Sequence, residues 1–257
     1  MSHANVVTSG DQDAPGPEEV LRSESLRKDF RGIMAVDDVS VSVRRGELLG
    51  IIGPNGAGKT TLFNLIAGAI KPSSGRVIFL GRDVTRFPPH KRLRIGISRT
   101  FQLIHPFRSL TIFENIMVSA TGSGLRNRAA RTQTSDVIER LGMERLARRS
   151  AGSINAAEGK RLEIARAIVT KPTVLLLDEV FSGLNSDEVA DLAPLVEELR
   201  QSGVAIMLIE HNVGAIRRVA QRMVAVAEGR IISQGSPEEV LNDSAVMENY
   251  LGTRASA

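Results

Sequence analysis

A glycine-rich loop that ends in lysine and threonine is the clearest chemical feature of this sequence. The stretch GPNGAGKTT follows the apolar run LLGIIG and opens the helix-forming run KTTLFNLIAGAI. Glycines let successive backbone N–H groups surround a polyphosphate, and a helix N-terminus adds positive partial charge. The pattern predicts a nucleoside triphosphate site, in which Lys59 reaches the β- and γ-phosphates and the Thr60 hydroxyl binds Mg²⁺. The candidate binding residues are Gly53, Pro54, Asn55, Gly56, Ala57, Gly58, Lys59, Thr60 and Thr61.

Two adjacent acids close another apolar run, VLLLDE, which is typical of a buried strand. Neighbours on a strand point to opposite faces, but at its end the chain turns and both acids can line one site. Asp178 is predicted to hold Mg²⁺, directly or through water, and Glu179 to polarise the attacking water. Beside the phosphate loop, these acids predict hydrolysis of the bound triphosphate.

Two further polar residues are candidates for the same reaction. His211 ends the run AIMLIEH, and ligands bind at the carboxyl ends of parallel strands, so we expect it to contact the γ-phosphate and orient the water. Gln102, in TFQ, joins the core to a helical stretch and is a candidate for sensing Mg²⁺ and the water. Taken alone, a histidine is usually structural, and the glutamine would be an unremarkable surface residue.

An α/β core with a largely parallel sheet is needed to bring these loops together. Strands alternate with helical runs along most of the chain, which is typical of such a core. Strand-like residues 24–43 precede it, and the mainly helical stretch at about 103–170 is predicted to be an insertion in it. Residues 1–23 are polar and rich in small side chains, so we expect a disordered tail followed by a single domain, 24–257.

Composition excludes several classes of protein. The chain has 257 residues with no Cys and no Trp, which rules out disulfides, thiolate metal sites and a Cys nucleophile. Aromatic residues make up only 4%, which argues against a stacking platform for single-stranded nucleic acid. No run is long enough to cross a bilayer, and no signal peptide is evident, so an intracellular protein is expected. Much of the basic excess lies in 124–149, as a solvated helical face or one that meets acidic groups.

The order of the motifs resembles the nucleotide-binding domain of ABC transporters. GPNGAGKT, TFQ, a charged helix, VLLLDE, SGLN and EH follow one another, and the resemblance covers nearly the whole chain after the tail. It implies a P-loop ATPase with ATP and Mg²⁺ as cofactors, an N-terminal antiparallel β region and an inserted helical subdomain. It also implies that Phe30 stacks on adenine, that 182–185 communicates across a dimer, and that Gln102 couples the site to a membrane subunit.

A narrower resemblance is to the ATP-binding subunits of branched-chain amino acid importers, a group that includes relatives for other small polar metabolites. It is carried by SRTFQLIHPFRSLTIFENIMVSA, KRLEIARAIVTKP and GSPEEVLNDSAVMENYLG. It implies a second, identical or different ATPase subunit, membrane permease subunits, an extracytoplasmic binding protein acting indirectly, no nucleic acid, and a peripheral location at the cytoplasmic face of the membrane. The lipopolysaccharide-export ATPase is a poorer match, chiefly because of SRTFQ.

The signature motif departs from the family's pattern. Where the family has L-S-G-G-Q at the start of a helix, this chain has INAAE, residues 154–158. The resemblance implies that Asn155, Ala157 and Glu158 face ATP held by the opposite subunit, with a serine hydroxyl and a bare glycine replaced and a negative charge added near the γ-phosphate. Asn155 and Glu158 also have the spacing of a capping box. Val180 stands where the family usually has proline after the two acids.

Three functions remain open at this point. The first is an ATPase subunit that energises an importer for amino acids or related small polar metabolites. The second is a regulatory subunit that binds ATP but supports little turnover, which the altered signature favours and the intact Lys59, Asp178 and Glu179 oppose. The third is a non-transport ABC ATPase acting on nucleic acid or ribosomes, which usually has tandem ATPase domains, zinc sites or long coiled coils.

Overall fold

The structure is a computed structural model that describes residues 18–100 and 106–252. Its strands are β1 (Glu19–Phe30), β2 (Ile33–Val39), β3 (Ser42–Arg44), β4 (Leu48–Ile52), β5 (Ser74–Phe79), β6 (Arg82–Asp83), β7 (Ile97–Arg99), β8 (Val174–Asp178), β9 (Ala205–Ile209), β10 (Arg222–Ala227) and β11 (Arg230–Gly235). Its helices are α1 (Lys59–Ile66), α2 (Pro89–Ile95), α3 (Ile112–Gly122), α4 (Asn127–Arg140), α5 (Ala156–Ile168), α6 (Ser186–Gln201), α7 (Val213–Val219), α8 (Pro237–Asn242) and α9 (Ser244–Gly252), with a 3₁₀ turn at Ala151–Ser153.

The described strands form two sheets. The larger has the order β11-β10-β4-β9-β8-β7, in which β10 to β7 run parallel and β11 is an antiparallel edge strand. The smaller is antiparallel, with the order β2-β1-β5-β6 and β3 paired to β1. The largely parallel core and the N-terminal antiparallel region are therefore confirmed.

The parallel sheet is buried on both faces, as its continuous apolar strands predict. On β4, Leu48 and Ile52 face the core that includes the helices α3 to α7, while Leu49 and Ile51 face the core shared with α1 and the smaller sheet. The alternation follows from the two-residue period of a strand. Covering both faces leaves the carboxyl ends of β4, β8 and β9 as the places where polar loops collect.

The helical insertion lies between β7 and β8. Its described residues, 106–170, form α3, α4, the 3₁₀ turn and α5 with their connections. The backbone of the segment before α3 is bonded to the segment before α5, with the N–H of Ala151 donating to Leu110 O and the N–H of Ile112 to Arg149 O. The start of α5 is therefore tied to the residues that follow the junction with the core.

The expected boundary of the N-terminal tail is wrong. β1 begins at Glu19, and Val20 and Leu21 are buried, so part of 1–23 belongs to the folded domain. Leu21 pairs with Phe79 on one side and Val43 on the other. Composition missed this segment because its two apolar residues stand among charges, whereas pairing on both edges of β1 decides their burial.

A buried arginine on α2 fixes the helix that begins at the phosphate loop. Nη1 of Arg92 donates to the carbonyl of Leu65, 2.7 Å away, and to that of Ile66, and its Nη2 donates to Thr85 O at 2.8 Å. The bonds to Leu65 and Ile66 supply donors to carbonyls at the C-terminus of α1, where the regular hydrogen bonds of the helix end. Burial lowers the pKa of Arg92 to about 10.

A search of the described residues finds no helix with the length and hydrophobicity to cross a membrane.

Candidate nucleotide site

The glycine-rich loop connects β4 to α1, as its sequence predicts. Gly58 is the N-cap of α1 with φ of 100°, and a Cβ there would lie 2.2 Å from the carbonyl oxygen of Ala35. At Gly53 a Cβ would lie 2.1 Å from Val226 O. Both contacts are far too short for any side chain. The loop is thus packed against β2 and β10 at two points that only glycine allows, and its N–H groups border an open cavity.

Lys59 lies inside this loop. Its side chain is buried, and Nζ donates to the carbonyls of Gly53 at 2.7 Å and Pro54 at 2.8 Å. Burial lowers the pKa of Lys59, and the carboxylates of Glu179 and Asp178 oppose that shift. A cation held among backbone carbonyls can exchange them for phosphate oxygens at little cost, since both are strong acceptors.

Asp178 ends β8 with its two carboxylate oxygens in different surroundings. Oδ2 accepts from Nη2 of Arg99 at 2.7 Å, and Arg99 Nη1 also donates to Oδ1 of Asn64 at 2.5 Å. Oδ1 of Asp178 is buried and, among the described residues, has no hydrogen-bond partner. A buried carboxylate oxygen without a hydrogen bond lowers the stability of the fold unless a ligand binds to it.

The donor set fits Mg²⁺. Asp178 has one buried carboxylate oxygen that no described residue bonds, and Thr60 is among the residues that line the phosphate-loop cavity. Within the described parts of the chain, no group of three His, Asp or Glu side chains is placed to hold a metal on its own. Mg²⁺ keeps several waters and takes its remaining ligands from one or two protein groups and the phosphates. When bound, Mg²⁺ neutralises charge on the β- and γ-phosphate oxygens.

Glu179 and His211 meet across this cavity. Nε2 of His211 lies 2.7 Å from Oε1 of Glu179. The backbone at Glu179 is left-handed, with φ of 53°, and it is held on both sides: its N–H donates to Ile209 O at 2.9 Å, and its carbonyl accepts from Lys160 Nζ at 2.7 Å. Both side chains line a cavity of about 220 Å³ together with the phosphate loop. The geometry places a candidate base and its partner at the same cavity as the phosphate loop.

Glu210 is a buried carboxyl that the sequence did not single out. Its Oε1 accepts from the backbone N–H of Phe181 at 2.6 Å, which links β9 to the turn after Glu179. Burial raises the pKa of Glu210 to about 7, although the N–H groups of Phe181 and His211 oppose the shift. In the sequence, Glu210 is only the residue before His211, and nothing in the run AIMLIEH indicates that its carboxyl is buried.

The altered signature forms the N-terminus of α5. Asn155 is the N-cap and forms a complete capping box with Glu158: its Oδ1 accepts from the N–H of Glu158 at 2.8 Å, and Glu158 Oε2 accepts from the N–H of Asn155 at 2.9 Å. This box was predicted from spacing and is confirmed. The other oxygen of Glu158 pairs with Nη1 of Arg149 at 3.1 Å. The carboxylate is therefore bonded at both oxygens.

The structure does not bring the signature to the phosphate loop of the same chain. Asn155, Ala157 and Glu158 line a separate cavity of about 340 Å³, bounded by Leu184 and α6. The phosphate loop, Glu179 and His211 line the other one.

Phe30 and Gln102 are the remaining candidates. Phe30 ends β1 and is 45% exposed, with Lys28 Nζ 5.0 Å from its ring centroid, so one ring face is engaged by a cation. Its role in adenine stacking stays a prediction. Gln102 lies outside the described residues.

Comparison with known proteins identifies the family to which the chain belongs. A sequence profile described as ABC transporter matches residues 36–182, and one described as branched-chain amino acid ATP-binding cassette transporter matches 230–256. The chain is 37% identical over 251 residues to the high-affinity branched-chain amino acid transport ATP-binding protein LivG of Salmonella typhimurium, covering 91% of this chain and 98% of that protein. It is 35% identical over 234 residues to the lipopolysaccharide export system ATP-binding protein LptB of Haemophilus influenzae, covering 91% and 97%.

Solved structures agree with this assignment. A nucleotide-free ATP-binding cassette from an ABC transporter superimposes with a TM-score of 0.84 at 31% identity, covering 90% of this chain and 98% of that one. The ADP conformation of the cassette MJ1267 gives 0.83 at 33% identity, covering 91% and 99%. The chain belongs to the ABC transporter family. It is an ATP-binding subunit of an ABC transporter, in a family of ATPases.

Proposed function

We propose that this chain hydrolyses ATP to energise an importer for branched-chain amino acids or related small polar metabolites. The observation that carries the substrate class is the C-terminal match at 230–256 to branched-chain amino acid cassettes. In the fold, this stretch begins with β11 and continues into α8 and α9. Similarity to LivG along nearly its whole length supports the same assignment.

Hydrolysis is proposed to follow from the groups that line the loop cavity. Lys59 holds the β- and γ-phosphates, Glu179 accepts a proton from the attacking water, and His211 keeps the carboxylate of Glu179 in place. The bond of 2.7 Å between His211 and Glu179 supports that division of roles. Asp178, with one oxygen fixed by Arg99, is proposed to direct the other oxygen to Mg²⁺.

Two ATPase subunits are proposed to share each ATP. The loop cavity and the signature cavity are separate within one chain, which supports a pairing in which Asn155 and Ala157 meet ATP on the partner. Backbone N–H groups at the N-terminus of α5 supply donors for the γ-phosphate.

A groove between the core and the inserted helices is proposed to receive the permease at the cytoplasmic face of the membrane. A cavity of about 390 Å³ lies there, with mainly apolar walls formed by α2, α3 and α5 and with Arg99 at its edge. Phe107 and Val118, both on the insertion, are 48% and 41% exposed. Exposed apolar side chains on the insertion support a docking surface there.

Lipopolysaccharide export is the second candidate, because LptB is 35% identical to this chain over a similar length. The two candidates differ in what stimulates the ATPase. The chain is to be purified with its permease subunits and reconstituted in proteoliposomes. Stimulation of ATP hydrolysis by an amino acid together with its binding protein, but not by lipopolysaccharide, is expected. Stimulation by lipopolysaccharide alone would overturn the importer proposal. If the wild-type protein hydrolyses no more ATP than a Lys59 variant does, the proposed ATPase activity itself is overturned.

A further inference from the structure

The altered signature raises an electrostatic question, since a carboxylate stands where a polyphosphate must approach. Glu158 is 22% exposed at the start of α5. The cavity beside it is also lined by Glu188 and Asp191, with Arg161 as the cation. This surface carries more negative than positive charge, and like charges at short range oppose binding.

Arg149 forms an ion pair with Glu158. Its Nη1 lies 3.1 Å from Glu158 Oε1, and its Nη2 donates to Ser153 O at 2.6 Å, so one guanidinium spans the turn that leads into α5. The backbone of Arg149 is fixed as well: its N–H donates to Leu146 O at 2.8 Å, and its carbonyl accepts from Ile112 at 3.0 Å. An arginine anchored at both ends holds its planar fork with less loss of side-chain freedom on pairing.

The second oxygen of Glu158 is used in the capping box with Asn155, so the carboxylate is turned back onto its own helix. Both oxygens are then satisfied by donors of this chain. The N-terminus of α5 keeps its outward N–H groups and its positive partial charge.

We infer that Arg149 is a positioning residue of the ATPase reaction, which neutralises Glu158 so that the INAAE signature accepts the γ-phosphate of ATP on the partner subunit. This inference rests on the proposed pairing of two subunits. Arg149 acts through Glu158, and its removal is harmful only while the carboxylate is present.

A double-mutant cycle tests this directly. Arg149→Gln, Glu158→Gln and the double variant are made in full-length protein, with and without Glu179→Gln to block turnover. Arg149→Gln should raise the ATP concentration for half-maximal association of the Glu179→Gln protein by about twofold to fivefold, the range of a partly exposed ion pair. It should raise KM for ATP similarly in the hydrolysing protein. Glu158→Gln should remove the effect, so that the double variant matches Glu158→Gln alone.

Two matched variants separate charge from folding. Arg149→Lys keeps the charge and should retain most of the affinity, so a loss equal to that of Arg149→Gln would overturn the inference. Arg148→Gln changes the exposed neighbour, which lines the cavity around Phe113 and Met117, and should leave ATP-driven association unchanged. Melting temperatures are measured for every variant.

Other outcomes contradict the inference in distinct ways. If Arg149→Gln weakens association equally with and without Glu158, Arg149 acts by a route that does not involve Glu158, such as its bond to Ser153 O or a direct contact with the phosphate, and the inference is wrong. If its only effect is a lower melting temperature, its role is structural. If the Glu179→Gln parent does not associate in ATP, both the two-subunit arrangement and the role of Arg149 are overturned, while ATP binding through Lys59 is measured separately.

Discussion

Nε2 of His211 and Oε1 of Glu179 lie 2.7 Å apart, although the two residues follow the ends of different strands, β9 and β8. Both side chains border the cavity of the phosphate loop. A carboxylate restrained by a hydrogen bond on one oxygen has its other oxygen in a defined direction, which is what a general base needs.

Glu179→Gln should keep ATP binding and reduce turnover by at least about 100-fold, because an amide cannot take the proton of the attacking water. Steady-state ATPase activity and nucleotide affinity, measured on one preparation, test this. Turnover within about twofold of wild type would show that another group is the base. Lys59→Ala is the contrasting variant, in which nucleotide affinity itself should fall.

His211→Ala should lower kcat by about tenfold to 100-fold while leaving ATP affinity nearly unchanged, since it removes the restraint on Glu179. Combined with Glu179→Gln, it should have almost no further effect on turnover, because the two residues act as a unit. Independent, multiplicative losses in the double variant would contradict this pairing.

Glu210 predicts a pH-dependent stability difference. Its pKa is raised to about 7 from an ordinary value of 4.5. The stabilising contribution of the protonated carboxyl is fully present below the unfolded-state pKa and is lost as pH rises through about 7. Glu210→Gln keeps an acceptor for the N–H of Phe181 without the titration. Its free energy of unfolding should exceed that of wild type increasingly from about pH 5 to pH 8, by at most about 3 kcal/mol.

Urea unfolding of both proteins at several pH values measures that difference in the free energy of unfolding. Groups that titrate in both proteins contribute equally to each value, so their contributions cancel in the difference. A difference that is constant with pH would mean that Glu210 is ionised throughout this range.

Phe107→Glu should reduce coupled transport by about tenfold and leave basal ATP hydrolysis within about twofold of wild type, because the side chain is on the proposed permease surface and not in the site. Phe107 is 48% exposed, and its ring lies 5.8 Å from the guanidinium carbon of Arg166. Leu80→Glu is a matched control, since Leu80 is 46% exposed in the turn between β5 and β6. A large drop in melting temperature without an isolated transport defect would place Phe107 in the packing of the insertion instead.

Asn155→Ser combined with Ala157→Gly and Glu158→Gln should speed ATP hydrolysis, because a hydroxyl and a bare backbone return to the signature. The capping box is weakened, at a cost of about 1 kcal/mol in stability. The steady-state rate of ATP hydrolysis by the triple variant and by wild type tests this prediction, and melting temperatures serve as the control for folding. An unchanged rate in a well-folded variant would mean that INAAE works fully as it stands.

The parts of the site that lie within one short stretch were predictable from sequence. The loop at Gly53–Thr61 and the pair Asp178 and Glu179 each combine chemistry and position in a few consecutive residues, and the structure places most of the loop and Glu179 at one cavity. The parallel core was predictable for the same reason, because a strand buried on both faces is apolar throughout.

The partners of these residues were not predictable, because they come from distant parts of the chain. Arg99 and Asp178 are 79 residues apart in sequence, and β7, which carries Arg99, is only three residues long. Arg149 stands in a run of arginines that composition describes as a solvated surface, and only the fold distinguishes it from Arg148. Likewise, the sequence predicts a strand that begins at residue 24 rather than at Glu19, because the pairing of β1 with β3 and β5 cannot be seen in a single sequence.

The left-handed backbone at Glu179 has an evolutionary consequence. A glutamate at φ of 53° is in a region that glycine enters freely and other L-residues enter at a cost of about 1–2 kcal/mol. Selection for stability alone would favour glycine or asparagine there, and such a protein would be a more robust fold with no general base. Libraries screened only for thermostability should therefore accumulate substitutions at position 179, whereas screens that demand growth on transported nutrient should hold it as glutamate.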